Sequence, residues 1–102
     1  GINTVPELTF DWCFQLKDIA VLGEGNVERL HLSRITKITD VEALKNIPTL
    51  ILKSCPKLTN ASVSKLGDGK VDTLTVDSCS KIDVSALKTA LSGKIPNLII
   101  KE

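Results

Sequence analysis

A chain of 102 residues with 42% apolar content, 25% charged residues and three aromatics has the length of one domain and the composition of a folded core, not of a disordered tail. Its net charge of +1 supplies no long-range field to hold nucleic acid or an anionic membrane surface. No apolar run approaches the ~20 residues of a membrane-spanning helix, and no basic-then-apolar leader opens the chain. With no methionine anywhere, Gly1 is not a translation start, so the chain is expected to be processed or cut from something longer.

The first strand is expected from Val5, with Pro6 tolerable at its beginning. Alternation turns Leu8 and Phe10 inward and Glu7, Thr9 and Asp11 outward. Leu16, Ile19 and Leu22 supply the apolar positions behind this strand, and Gly23-Glu24-Gly25-Asn26 reads as a turn. The second strand carries Leu30 and Leu32, and Thr39 or Asp40 is suited to cap a short helix through Val41, Leu44 and Ile47. Pro48 marks the start of the third strand, Leu50 and Leu52, after which Thr59 or Asn60 caps a helix with Val63 and Leu66. Gly67-Asp68-Gly69 is expected to end that helix by supplying a positive φ. Leu74 and Val76 mark the fourth strand. Val84, Leu87 and Leu91 give the longest helix pattern, with Gly93 as its stop. Leu98 and Ile100 close the chain in a last strand, where Lys101-Glu102 discourages edge-to-edge pairing.

These elements repeat. The leading leucines stand at positions 8, 30, 50, 74 and 98, separated by 22, 20, 24 and 24 residues. About four repeats follow, near 5–26, 27–47, 48–70 and 71–95, with a closing strand at 96–102, all in a single domain spanning 1–102. One such unit cannot bury its apolar face alone, so each must cover its neighbour. Parallel stacking at one register would then line up the outward residues in rows: Thr9, His31, Ile51, Thr75 and Ile99, and beside them Asp11, Ser33, Lys53, Asp77 and Lys101. Cys13, Cys55 and Cys79 share one repeat position, three residues after the second inward residue, and Ile35 takes that place in the second repeat. An odd number of cysteines placed by the repeat indicates structural thiols, small buried hydrophobes that donate weakly to the adjoining turn. Free thiols fit a reducing compartment. The expectation is an intracellular, cytoplasmic protein, with the mitochondrion as the other placement.

The run Leu50-x-Leu52-x-x-Cys55-x-x-Leu58-Thr59-Asn60, at a period in the low twenties, resembles the leucine-rich repeat. It is most similar to the cysteine-containing repeats of F-box-type ubiquitin-ligase receptors. Cys13 with Leu16-Lys17-Asp18 matches as well, and Cys79 with Ile82-Asp83 matches less completely, while Ile35 to Leu44 looks more like internalin repeats or those of the regulatory-subunit type. The resemblance covers nearly the whole chain. It implies an α/β fold: a short right-handed solenoid with a parallel strand and a helix or turn per repeat. It also implies a concave strand face that serves as a general protein-binding scaffold. The residues ahead of Val5 carry no F-box-like pattern. Three roles follow from the resemblance: a recognition module in a larger chain or assembly, the substrate-recognition part of an F-box-type ubiquitin ligase, or a small structural or assembly factor such as one for a mitochondrial complex.

The candidate partner-binding residues are Trp12, Arg29, His31, Arg34, Ile51 and Lys53, because exposed Trp and Arg in a patch are enriched among binding hot spots. The competing reading of Trp12 is that it packs over the open N-terminal end of the core, and Ile51 and Ile99 also suit a strand by propensity alone. Catalysis is not expected. His31 has only Ser33 as a same-side hydroxyl neighbour on its own strand, and nothing forms a pocket around the two. One histidine and no C-x-x-C spacing argue against zinc. Gly23-Glu24-Gly25 and Gly67-Asp68-Gly69-Lys70 lack phosphate-loop spacing and fall where a repeat must turn. The expected partner is therefore a protein, with no cofactor, no nucleic acid and no membrane insertion. An uncapped N-terminal end would invite self-association or coverage by the partner.

Overall fold

The computed structural model describes residues 5–12 and 27–101. Among them are five strands: β1 Val5–Asp11, β2 Val27–Ser33, β3 Thr49–Lys53, β4 Thr73–Asp77 and β5 Asn97–Lys101. They form one sheet in chain order, every neighbouring pair parallel. The pairing holds a single register. Leu8, Leu30, Leu50, Leu74 and Leu98 stand in one inward row, and Phe10, Leu32, Leu52, Val76 and Ile100 in the next. A mixed α/β architecture with a repeat-like parallel sheet is thus in place, as the L-x-L spacing predicts.

The core lies on the inward face of this sheet. Leu30, Leu32, Leu50, Leu52, Leu74 and Val76 have no exposed surface, and burying a side chain of this size contributes about 1.5–3 kcal/mol each. The connections supply the other wall: Val41, Leu44, Ile47, Leu58, Val63, Leu66, Leu87, Leu91 and Ile95 belong to the same cluster. Leu8, Phe10 and Leu98, on the two outermost strands, are only half-buried, because each has a neighbouring strand on one side alone. No helix among the described residues is long and apolar enough to cross a membrane.

The connections vary in form with their length. Between β2 and β3, where 20 residues separate the leading leucines, only one 3-10 turn forms, Glu42–Leu44. This is shorter than the helix through Ile47 that the apolar spacing predicts. Asp40 accepts the Glu42 amide at 2.9 Å, while Val41 itself supplies no side-chain cap. Between β3 and β4 the chain forms α1, Asn60–Ser64, continued by a 3-10 segment Lys65–Asp68. Thr59 is its cap, accepting from the Ser62 amide. Between β4 and β5 lies α2, Val84–Leu91, the longer of the two α-helices among the described residues, capped by Asp83 through the Ala86 amide. Leu16, Ile19, Leu22 and the turn expected at residues 23–26 lie outside the described residues.

Side chains also tie one unit to the next at the repeat spacing. Asn60 donates to the Asp83 carbonyl at 2.9 Å and accepts the Asp83 amide at 2.7 Å, standing in for a backbone pair. One unit earlier, the Ser62 hydroxyl donates to the Thr39 carbonyl.

Gly69 departs from its expected role. Its φ is −111°, so the turn after α1 requires no left-handed residue there; among the described glycines only Gly93, at φ 80°, takes that conformation. Gly69 is needed for space. A Cβ on it would overlap the Lys45 carbonyl, which the Lys70 amide already holds at 2.6 Å. Gly69→Ala is expected to cost about 1–3 kcal/mol in urea unfolding, the usual scale of overpacking. Gly93→Ala, where nothing stands within 4 Å, should instead cost about 1–2 kcal/mol through backbone conformation alone.

Candidate functional site

The face opposite the core is built by the same register. Thr9, His31, Ile51, Thr75 and Ile99 form its middle row; Asp11, Ser33, Lys53, Asp77 and Lys101 form the row toward the strand ends. Adjacent strands are about 4.8 Å apart, so the rows present side chains at nearly constant intervals. Ile99 is 45% exposed and Ile51 half-buried. Ser33 departs from its outward expectation, being only 5% exposed between its row neighbours Asp11 and Lys53.

At the end of this row the chain turns in the same way four times. Trp12, Arg34, Ser54 and Ser78, each the residue immediately after its strand, all have positive φ, between 53° and 61°. A side chain in the left-handed region costs roughly 1–2 kcal/mol. In exchange each of these amides extends the ladder past the strand: Trp12 to the Ser33 carbonyl at 3.1 Å, Arg34 to Lys53 at 2.9 Å, Ser54 to Asp77 at 2.8 Å and Ser78 to Lys101 at 3.2 Å. None of these residues is the Gly or Asn that usually marks such a turn, so sequence reasoning missed them. Only their shared position in the repeat could have signalled it.

The left-handed turns place Trp12 and Arg34 side by side. The Arg34 guanidinium lies 4.6 Å from the centre of the Trp12 ring, and its Nε is 3.3 Å from Asp11 Oδ1. Trp12 is 51% exposed. Both Arg34 and Asp11 are close to half exposed, so solvent screens the ion pair and it contributes less than about 1 kcal/mol.

The remaining four candidates sit on two neighbouring strands. His31 and Ile51 face each other across β2 and β3, Arg29 lies two residues before His31, and Lys53 two residues after Ile51. Arg29 and Lys53 are exposed and form no ion pair among the described residues. His31 Nε2 is buried and has no hydrogen-bond partner among the described residues.

Cys55 and Cys79 are free and buried, with their sulfurs directed at main-chain carbonyls of the sheet. Cys13 lies outside the described residues. No three His, Cys, Asp or Glu side chains cluster as a metal site among the described residues.

The stacking of Arg34 on Trp12 can be checked directly, because the chain has one tryptophan. Arg34→Ala should shift Trp12 emission to longer wavelength as water replaces the guanidinium. It should lower stability by no more than about 1 kcal/mol, the range of an exposed cation–π contact. An unchanged spectrum would show the contact is not populated.

Compared with known proteins, the chain matches no family model, no curated protein sequence and no solved structure.

Proposed function

We propose that this chain is a leucine-rich-repeat recognition module, non-enzymatic, that binds a protein partner on the outward face of its sheet as part of a larger chain or assembly. The observation that carries this reading is the patch itself. A half-exposed tryptophan with an arginine stacked on it lies at the ends of β1 and β2, and Arg29, His31, Ile51 and Lys53 occupy outward positions on β2 and β3. Trp and Arg are the residue types most enriched where binding energy concentrates.

Two features of the patch favour an occupied state. Ile51 is half-buried and Ile99 is 45% exposed in the middle row, apolar surface that a partner would remove from water. Arg29 and Lys53 offer charge-assisted hydrogen bonds to partner carboxylates without first breaking an ion pair of their own among the described residues. The Leu50-x-Leu52-x-x-Cys55 pattern with its constant register supports the repeat assignment.

The test is quantitative affinity capture with the wild-type chain and with the Trp12→Ala, Ile51→Asp double variant, after circular dichroism shows both folded. A specific partner recovered by the wild type should fall at least tenfold with the variant. Recovery of the same proteins at the same level with both baits would overturn the assignment of this face.

A further inference from the structure

The sheet ends at β1 and β5, each with a neighbouring strand on one side only among the described residues. The packing shows both ends to be incomplete. Leu8 and Leu98 are half-buried, whereas Leu30, Leu50 and Leu74 in the same row have no exposed surface. Beside β5 the openness reaches the preceding turn. A cavity of about 440 Å³ lies there, its wall including Lys101, Cys79, Ile82 and Val84. Ile82 is half-buried, while Ile38 and Leu58, which hold its place in earlier units, are 1% and 0% exposed. An open strand edge of this kind is a template for another strand.

The two edges carry complementary main-chain groups. In a parallel ladder successive residues turn their N–H and C=O to opposite sides. The Asn97 amide bonds to the Asp72 carbonyl and the Lys101 carbonyl accepts the Ser78 amide, so residues 97, 99 and 101 turn toward β4. Leu98 and Ile100 therefore turn theirs to the open edge. On β1 the Trp12 amide bonds to the Ser33 carbonyl, so Leu8 and Phe10 also turn toward β2, and Glu7 and Thr9 turn away from it.

The register shared by all four strand pairs would set β1 of a second copy on β5 with Leu8 beside Leu98, Thr9 beside Ile99 and Phe10 beside Ile100. The Leu98 main chain then falls between those of Glu7 and Thr9, where its N–H and C=O find partners. Inward and outward rows both continue across the junction. The same register puts Lys101 of one copy beside Asp11 of the next. Asp11 already lies 3.3 Å from Arg34, and a carboxylate has acceptor sites for a second cation. The lysine that repels a second β5 meets on β1 an opposite charge.

We propose that this chain associates with further copies of itself head to tail, β5 of one pairing in parallel with β1 of the next. Such a contact is heterologous, so it produces a ring where the rotation closes and an open series otherwise, and it does not stop at a two-fold dimer. It is independent of whether the outward face binds a partner.

The experiment is analytical ultracentrifugation of the native chain in low-salt buffer, where surface charges are least screened, over about two decades of concentration. The weight-average mass should rise with concentration beyond that of a dimer. Asp11→Lys or Lys101→Asp alone should weaken association roughly tenfold or more, because each sets like charges together at the junction. An equimolar mixture of the two variants should recover association, and so should one chain carrying both substitutions. If Asp11→Lys fails to fold by circular dichroism, Lys101→Asp is compared with Lys101→Arg, which should associate as the wild type does. A monomer throughout the range, a dimer that grows no further, a mixture no more associated than either variant alone, or equal association of Lys101→Asp and Lys101→Arg would overturn the proposal.

Discussion

Parallel pairing at a constant register, Leu30 beside Leu50 beside Leu74, fixes which strand residues face the core and which face outward. A one-residue slip would carry the leucines to the outward face and His31 and Ile51 into the core. Two forces resist it together. The backbone ladder runs through the strands and one residue beyond them, at Trp12, Arg34, Ser54 and Ser78. The two inward rows pack against residues from each connection in a single cluster. Neither would suffice alone, since one strand with its turn has nothing to cover its apolar side.

The strands and their rows were legible in the sequence because L-x-L at a near-constant spacing encodes both the inward face and the partner residue on the next strand. The connections were less so. Apolar residues at Val41, Leu44 and Ile47 fit a helix and are all buried, yet the chain between β2 and β3 forms a single 3-10 turn there. Apolar spacing reports which residues face the core and not how tightly the backbone coils between them. Gly69 shows the same gap: its residue type announced a special backbone position, but the requirement is the nearness of the Lys45 carbonyl, a contact 24 residues away in sequence.

The patch was legible in part. Rows derived from the period-two alternation brought His31, Ile51, Arg29 and Lys53 together on two strands. The contact between Trp12 and Arg34 was not derivable, because it depends on left-handed turns at residues whose type gives no hint of them. The thiols follow a similar division. Cys55 and Cys79 are both buried, and of the two only Cys79 lines the cavity beside β5, which the repeat spacing does not reveal.

The strict agreement between strand order and chain order also determines how the molecule would respond to force. A load applied across β1 and β5 reaches the outermost strands first, and each strand is held by its neighbours along the direction in which it would be peeled away. Its ladder bonds are then loaded one after another and not all at once. Extension should therefore proceed as a series of small, similar steps, each releasing one strand with its connection. The sheet would behave as a zipper, and its mechanical resistance would depend on the weakest single row, not on the sum of all of them.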